Sequence, residues 1–432
     1  MRRIAVSGLV ALAAVLGGVA VGVAVPAAAL AGPASGVRPA IFGERPAIPA
    51  RPADDGPITT GSPIISCVLA TDCLGAEASS PLTDGGPGIS TRVERWNGSS
   101  WKRLVVTMPA GVRSVDLNGI SCRGAKSCLV VGDYYTSTSE SAPDYPLALI
   151  YNGTSLKPTP AVPTPKGLDG VTLDGVSCTT ATHCVAVGTA NGYTKSARAE
   201  LEVAMIETWN GTKWTLHNVT ASSASSMLQV AGISCATASF CVLDGDSFTV
   251  SSNSATIGTW LAEWNGKYLT RMKSPVAMMP TAVSCATRSN CAVTGINPDI
   301  ASNAAATTTS STEIWNGKAW QPATVNWPKS TGESMAFGLS CYAARSCEMV
   351  GLDGPAAENS SDAVAVSFTG TVSRLQEVPA PAKGDSTVLT GVSCLPPGTC
   401  VAVGETGKTN ASSSSVMTGV WNGRAWRLDR GF

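Results

Sequence analysis

The sequence predicts an all-β fold, a seven-bladed β-propeller of four-stranded antiparallel blades. Three observations predict it: a paired-cysteine motif present seven times, a glycine turn motif after each pair that is Asn-Gly in six copies and Thr-Gly in the sixth, and a spacing of 50 to 57 residues between copies. The pairs are Cys67 with Cys73, Cys122 with Cys128, Cys178 with Cys184, Cys235 with Cys241, Cys285 with Cys291, Cys341 with Cys347 and Cys394 with Cys400. They use all 14 cysteines of the 432-residue chain, and a serine precedes the first cysteine of every pair.

Before the repeats, Arg2 and Arg3 open an apolar run from Ile4 to Val25, Pro26 breaks it, and Ala29-Leu30-Ala31 offers a small-residue cleavage site. Residues 1–31 therefore read as an export signal, with an uncleaved membrane anchor as the alternative. The near-repeat "RPAIFGERPAIPARPADD" makes residues 32–60 a Pro-rich spacer that cannot bury a core. The propeller is expected over residues 61–432, with blades starting near 64, 119, 175, 232, 282, 338 and 391. After signal cleavage no further run is long and apolar enough to span a bilayer.

Each unit reads as two hairpins. In the third, "GVSC", "CVAVG", "MIETW" and "KWTLHNV" are the four strands. "WNGTKW" at Trp209 has counterparts at Trp96, Tyr151, Trp264, Trp315, Phe368 and Trp421. Asn-Gly between apolar runs signals a tight turn, because both residues tolerate positive φ. Gly98, Gly153, Gly211, Gly266, Gly317, Gly370 and Gly423 are expected there.

Two cysteines flanking a five-residue hairpin loop face each other at about 4.5 Å between Cα atoms, within disulfide range. Export supplies the oxidising environment. Zinc is disfavoured, because the spacing is wrong and His183 and His217 cannot serve seven sites. The expectation is one disulfide per blade, no metal site and no cofactor. Tryptophans at fixed repeat positions point to packing between blades, and the serines beside cysteine to local strand hydrogen bonds.

The paired motifs, "VSC" with five residues to "C-x-AVG" and then "WNG-x-x-W", resemble those of a family of secreted bacterial β-propeller repeat proteins across residues 64–428. More remotely, the Gly and last Trp of "WNGTKW" resemble the end of the Asp-box hairpin of sialidase-like propellers, although Trp209 stands where that motif has its aspartate. This likeness implies where the hairpin lies and no activity.

The disulfide and Asn-Gly turns are expected on one face of the ring, and the long connections at 133–146, 189–200, 246–258, 296–311, 352–363 and 405–416 on the other. Function in rigid scaffolds concentrates on such loops. With 30 basic and 30 acidic residues the chain has no net charge, so no nucleic-acid partner is expected. Four of the seven tyrosines, Tyr134, Tyr135, Tyr145 and Tyr193, fall in the long connections of blades 2 and 3 beside Asp133 and Asp144. Flat rings with hydroxyls beside carboxylates suit a sugar or a cationic group. The reading is a secreted, monomeric, non-catalytic binding or scaffold module for an extracellular glycan or protein. The alternative is a sialidase-like or other glycoside-acting propeller enzyme using carboxylates such as Asp133, Asp144, Asp244, Asp246, Asp353 and Glu405.

Overall fold

The structure, a computed structural model, describes residues 62–79, 90–137, 143–168, 170–194, 199–218, 226–251, 254–297, 309–328, 333–354, 361–382, 385–408 and 414–432. The expected export signal and spacer lie outside these residues. All regular structure among the described residues is strand, arranged as seven sheets. In six sheets four consecutive strands lie side by side in chain order. Blade 3 is typical, with Gly170–Thr180, His183–Thr194, Ala199–Trp209 and Trp214–Asn218 from axis to rim. First strands of successive blades pack on one another around the axis, and Ile64–Leu69 of blade 1 meets Asp385–Leu395 of blade 7 to close the ring. Blade 2 departs from four strands. Val105–Val106, leaving blade 1, pairs in parallel with Ser155–Pro158 and covers that outer edge.

A disulfide joins each expected pair: Cys67 to Cys73, Cys122 to Cys128, Cys178 to Cys184, Cys235 to Cys241, Cys285 to Cys291, Cys341 to Cys347 and Cys394 to Cys400. Their Cα atoms are 3.9 to 4.0 Å apart, closer than the 4.5 Å expected, and no cysteine is free. The expected five-residue loop between the cysteines is corrected, because the ladder runs on past each bridge. Pairing continues from Cys178↔Cys184 to Thr180↔His183, so only Ala181 and Thr182 turn. Likewise Cys235↔Cys241 leads to Thr237↔Phe240, Cys285↔Cys291 to Thr287↔Asn290 and Cys341↔Cys347 to Ala343↔Ser346. Cys394↔Cys400 leads to Leu395↔Thr399 and a slightly longer turn. On its other side each second cysteine faces the ring that opens its blade's outer turn, as in Cys241↔Trp264, Cys291↔Trp315, Cys347↔Phe368 and Cys400↔Trp421.

The serines do not bond locally as expected; they join blades. Ser66 Oγ accepts the backbone N–H of Cys122 at 3.0 Å, and the same contact recurs from Ser121 to Cys178, Ser177 to Cys235, Ser234 to Cys285, Ser284 to Cys341 and Ser340 to Cys394. Ser393 completes the circle by accepting from Cys67 at 2.9 Å. The first strand has a free edge toward the axis, so alternate N–H groups would lack partners without these hydroxyls.

In blades 2 to 7 the first strand carries a bulge, at Asn118, Asp174, Ala231, Thr281, Phe337 and Thr390, and starts three to six residues before the motif-based boundary. The bulge brings a carbonyl over the second strand. A Cβ on Gly132 would lie 1.9 Å from Asp116 O, so the glycine of "AVG" is required by close approach.

The outer turns, six Asn-Gly and one Thr369-Gly370, have all seven glycines at positive φ, from 65° to 98°. The asparagine works differently from the expectation, since its φ stays negative and its side chain caps the turn. Asn210 Oδ1 accepts the N–H groups of Thr212 and Lys213 at 3.0 and 2.9 Å. The paired tryptophans of each hairpin lie 5.2 to 5.7 Å apart by ring centroid in blades 1, 3, 5 and 7. The second reaches back to the preceding blade, as when Trp214 Nε1 donates to Thr159 Oγ1 at 2.9 Å. At the closure Trp101 Nε1 donates to Thr418 Oγ1 at 2.8 Å and packs on Phe432, 4.7 Å between centroids. Among the described residues no strand is exchanged between the two ends of the ring.

Candidate functional site

The face opposite the disulfides is built from longer hairpins than the sequence suggested. Second and third strands of blade 3 pair as far as Thr194↔Ala199 and those of blade 4 as far as Ser251↔Ser254. Most of 189–200 and 246–258, expected as loop, is therefore ladder. In blade 2 the second strand, Ser127–Tyr135, runs through Asp133, Tyr134 and Tyr135, so these are strand residues.

Register then divides the expected site residues. Asp116 lies opposite Asp133, Ser114 opposite Tyr135, and Val115 opposite Tyr134, which in turn pairs with Tyr145. Cross-strand partners share a face and successive residues alternate. Val115 and Tyr134 pack against Leu74, Ala76 and Val93 of blade 1, and Tyr145 stacks on Tyr134 at 5.3 Å. Asp133 and Tyr135 face blade 3. Tyr193 lies on the second strand of blade 3 opposite Glu200, and its side chain falls outside the described residues.

On the blade 3 side four carboxylates cluster at the junction of blades 2 and 3. Asn118 Nδ2 donates to Asp133 Oδ1 at 3.2 Å and to Leu173 O of blade 3 at 3.1 Å, bridging the gap. Asp144 accepts the backbone N–H of Val171 on its carbonyl at 2.9 Å and the Tyr135 hydroxyl on its carboxylate. Asp174, the bulge residue of blade 3, accepts from Thr172 Oγ1 at 3.3 Å. Asp133 is fully buried, whereas Asp116, Tyr135, Asp144 and Asp174 are half-buried. Asp133 Oδ2 has no hydrogen-bond partner.

Burial first, then the nearby Asp116, Asp144 and Asp174, hold the Asp133 carboxyl well above the usual range. Burial and Asp144 push Asp116 up to about 6. Burial, with these carboxylates, raises the Tyr135 hydroxyl. At neutral pH this cluster therefore offers the Asp133 carboxyl, held protonated, as a donor beside neighbouring carboxylate oxygens as acceptors. That set can grip sugar hydroxyls or an ammonium group. Among the described residues no group of His, Cys, Asp and Glu is spaced to hold a metal ion.

Asp116 and Asp174 were not singled out from sequence. The available signal was the polar residue just before the repeat glycine, Asn118-Gly119 and Asp174-Gly175, where other blades have Ala231 or Thr390. The other expected carboxylates stand apart from this cluster, Asp244 and Asp246 beside each other. Asp244 and Asp246 are buried in blade 4, Ser334 Oγ donates to Asp353, and Ser414 Oγ donates to Glu405 at 2.6 Å in blade 7. The cysteines have no part in the cluster; Cys241, Cys291, Cys347 and Cys400, like Cys73, Cys128 and Cys184, are buried at the other end of their strands.

No protein-family model matches the chain, and no curated protein matches it. Solved structures do. A polysaccharide lyase of family PL25, an ulvan lyase, is 7% identical with a TM-score of 0.54, over 86% of this chain and 96% of that one. YCF48 bound to a D1 peptide is 11% identical with a TM-score of 0.45, over 82% and 92%. The Hadza microbial sialidase Hz136 is 11% identical with a TM-score of 0.44, over 67% and 62%. At 7% identity the likeness to the lyase carries the fold alone.

Proposed function

We propose that this protein is an extracellular, non-catalytic binding module that takes a glycan or protein ligand at the carboxylate cluster between blades 2 and 3. One observation carries the reading: Asp116, Asp133, Asp144, Asp174 and Tyr135 converge there from separate segments, with Asp133 Oδ2 buried and unpartnered. An unpartnered buried polar atom is costly, and a ligand hydroxyl or ammonium would satisfy it. Seven disulfides and the absence of a free cysteine suit an oxidising, extracellular setting.

The test is a glycan and peptide array probed with wild type, Asp116→Asn, Asp133→Asn and Tyr135→Phe, each checked for unchanged melting temperature. Binding lost in these variants and kept in Tyr145→Ala, on the other side of the blade, supports the cluster. Binding that survives all three moves the site elsewhere. Turnover of a bound glycoside, abolished by Asp116→Asn, would replace this reading with the glycoside-acting one.

A further inference from the structure

The zero net charge hides a segregation by face. The disulfide face is made of fourteen turns: 69–72, 124–127, 180–183, 237–240, 287–290, 343–346 and 395–399 between first and second strands, and 97–100, 152–155, 210–213, 265–268, 316–319, 369–372 and 422–425 between third and fourth. The two sets touch within a blade, where a Cβ on Gly211 would meet Thr182 at 2.8 Å. These turns contain Lys126, Lys213, Lys267, Arg288, Lys318, Arg345 and Arg424 against one acid, Asp72. All seven cations are exposed, and each of blades 2 to 7 supplies at least one. Asp72 is already held by Arg95 at 2.8 and 2.9 Å. Among the described residues the four lysines form no ion pair. Many acids are instead buried within blades, among them Asp133, Glu207, Asp244, Glu313 and Glu348.

We propose that the turn face docks an acidic polysaccharide, with cations of successive blades meeting successive carboxylate or sulfate groups. Single cations repeated at the blade spacing match a polymer whose charges also repeat at intervals. Tyr268, 60% exposed with Lys267 Nζ 4.9 Å from its ring centroid, adds an aromatic surface for a sugar ring beside a cation. A bilayer fits less well, because the exposed apolar tips Leu69, Tyr268 and Val372 are scattered over blades 1, 4 and 6. Nucleic acid fits less well too, since Tyr268 is the one strongly exposed aromatic among the described turns and stacking on several bases needs more. This surface lies on the opposite face from the carboxylate cluster, so it stands independently of that site.

The full chain would be passed over immobilised polygalacturonate and dextran sulfate, with neutral dextran as control. Retention is expected on both acidic polymers at low salt, falling steeply as sodium chloride screens the contacts. The quadruple variant K213E/K267E/K318E/R424E should lose at least about tenfold in affinity with an unchanged melting temperature, each exposed cation contributing a screened, additive share. Should charge reversal disturb folding, the neutral K213Q/K267Q/K318Q/R424Q serves with a smaller loss in the same direction. No retention, retention indifferent to salt, or equal binding by a folded variant overturns the proposal. Tighter binding to anionic phospholipid vesicles or to duplex DNA than to either polymer overturns it as well.

Discussion

Ser393 Oγ accepts the backbone N–H of Cys67 at 2.9 Å and so ties the last blade to the first across 326 residues. The same bond elsewhere in the ring spans 51 to 58 residues. Closure therefore uses the ordinary blade-to-blade contact and needs no strand swap. Because the serine sits beside the disulfide, one short motif staples its own hairpin and docks the next.

Removing the hydroxyl leaves a largely buried N–H without a partner. Ser393→Ala and Ser177→Ala should each lower stability by about 1 to 3 kcal/mol in urea unfolding. Equal costs are expected, since both bonds have the same geometry. A neutral Ser393→Ala beside a costly Ser177→Ala would mean that blades 1 and 7 do not meet this way in solution.

The glycine after the second strand makes a sharper case. Gly132→Ala places a methyl 1.9 Å from the Asp116 carbonyl, which must move because backbone cannot rotate aside. A loss of about 3 kcal/mol or more is expected, comparable to the larger overpacking costs. At Gly423, where nothing lies within 4 Å of an added Cβ but φ is +90°, alanine meets only backbone strain of about 1 to 2 kcal/mol. Comparing the two melting temperatures checks the order; a milder effect at Gly132 than at Gly423 contradicts the bulge geometry.

Repetition made the fold legible, because cysteine, serine, Asn-Gly and tryptophan recur at fixed offsets and each has one local reading. What stayed hidden depends on contacts between units. A single-residue bulge at Asn118 or Thr390 looks like ordinary strand until its partner strand is known. The hairpin around Tyr193 reads as loop because its small polar residues lack apolar alternation, yet ladder hydrogen bonds need none. In the candidate cluster, Asp133, Tyr135 and Asp144 are legible as candidates because they lie close together in sequence. Asp174 is not, because it comes from the neighbouring blade, and Tyr134 and Tyr145 face away by one step of alternation.

The disulfides should matter modestly one at a time. Each closes a loop between residues six apart, which by the chain-entropy model stabilises by about 2 kcal/mol. The double variant Cys178→Ala/Cys184→Ala should thus stay folded with that loss, since pairing through Thr180↔His183 and the Ser121 bond remain. Non-reducing peptide mapping of the native protein should find only the seven bridges within blades; a bridge between blades would contradict the assignment.

Buried carboxyls give the fold a pH dependence whose sign is fixed. Glu348 is buried between strands, and burial pushes its carboxyl up to about 8 although Gln376 Nε2 donates to it at 3.3 Å and opposes the shift. Its unfolded value is about 4.3, so the folded state holds the proton more tightly. The stability linked to this group is fully present below about pH 4.3 and is lost as pH rises toward 8, at up to about 1.4 kcal/mol per pH unit. Asp244, pushed by burial up to about 7, adds a loss in the same direction that ends about one unit lower. Melting temperature should therefore fall from mildly acidic to alkaline pH. Glu348→Gln keeps the shape without the titrating proton, so its curve should meet wild type near pH 4 and lie progressively above it up to pH 8. Curves that stay parallel across that range would show that Glu348 does not titrate as its burial requires.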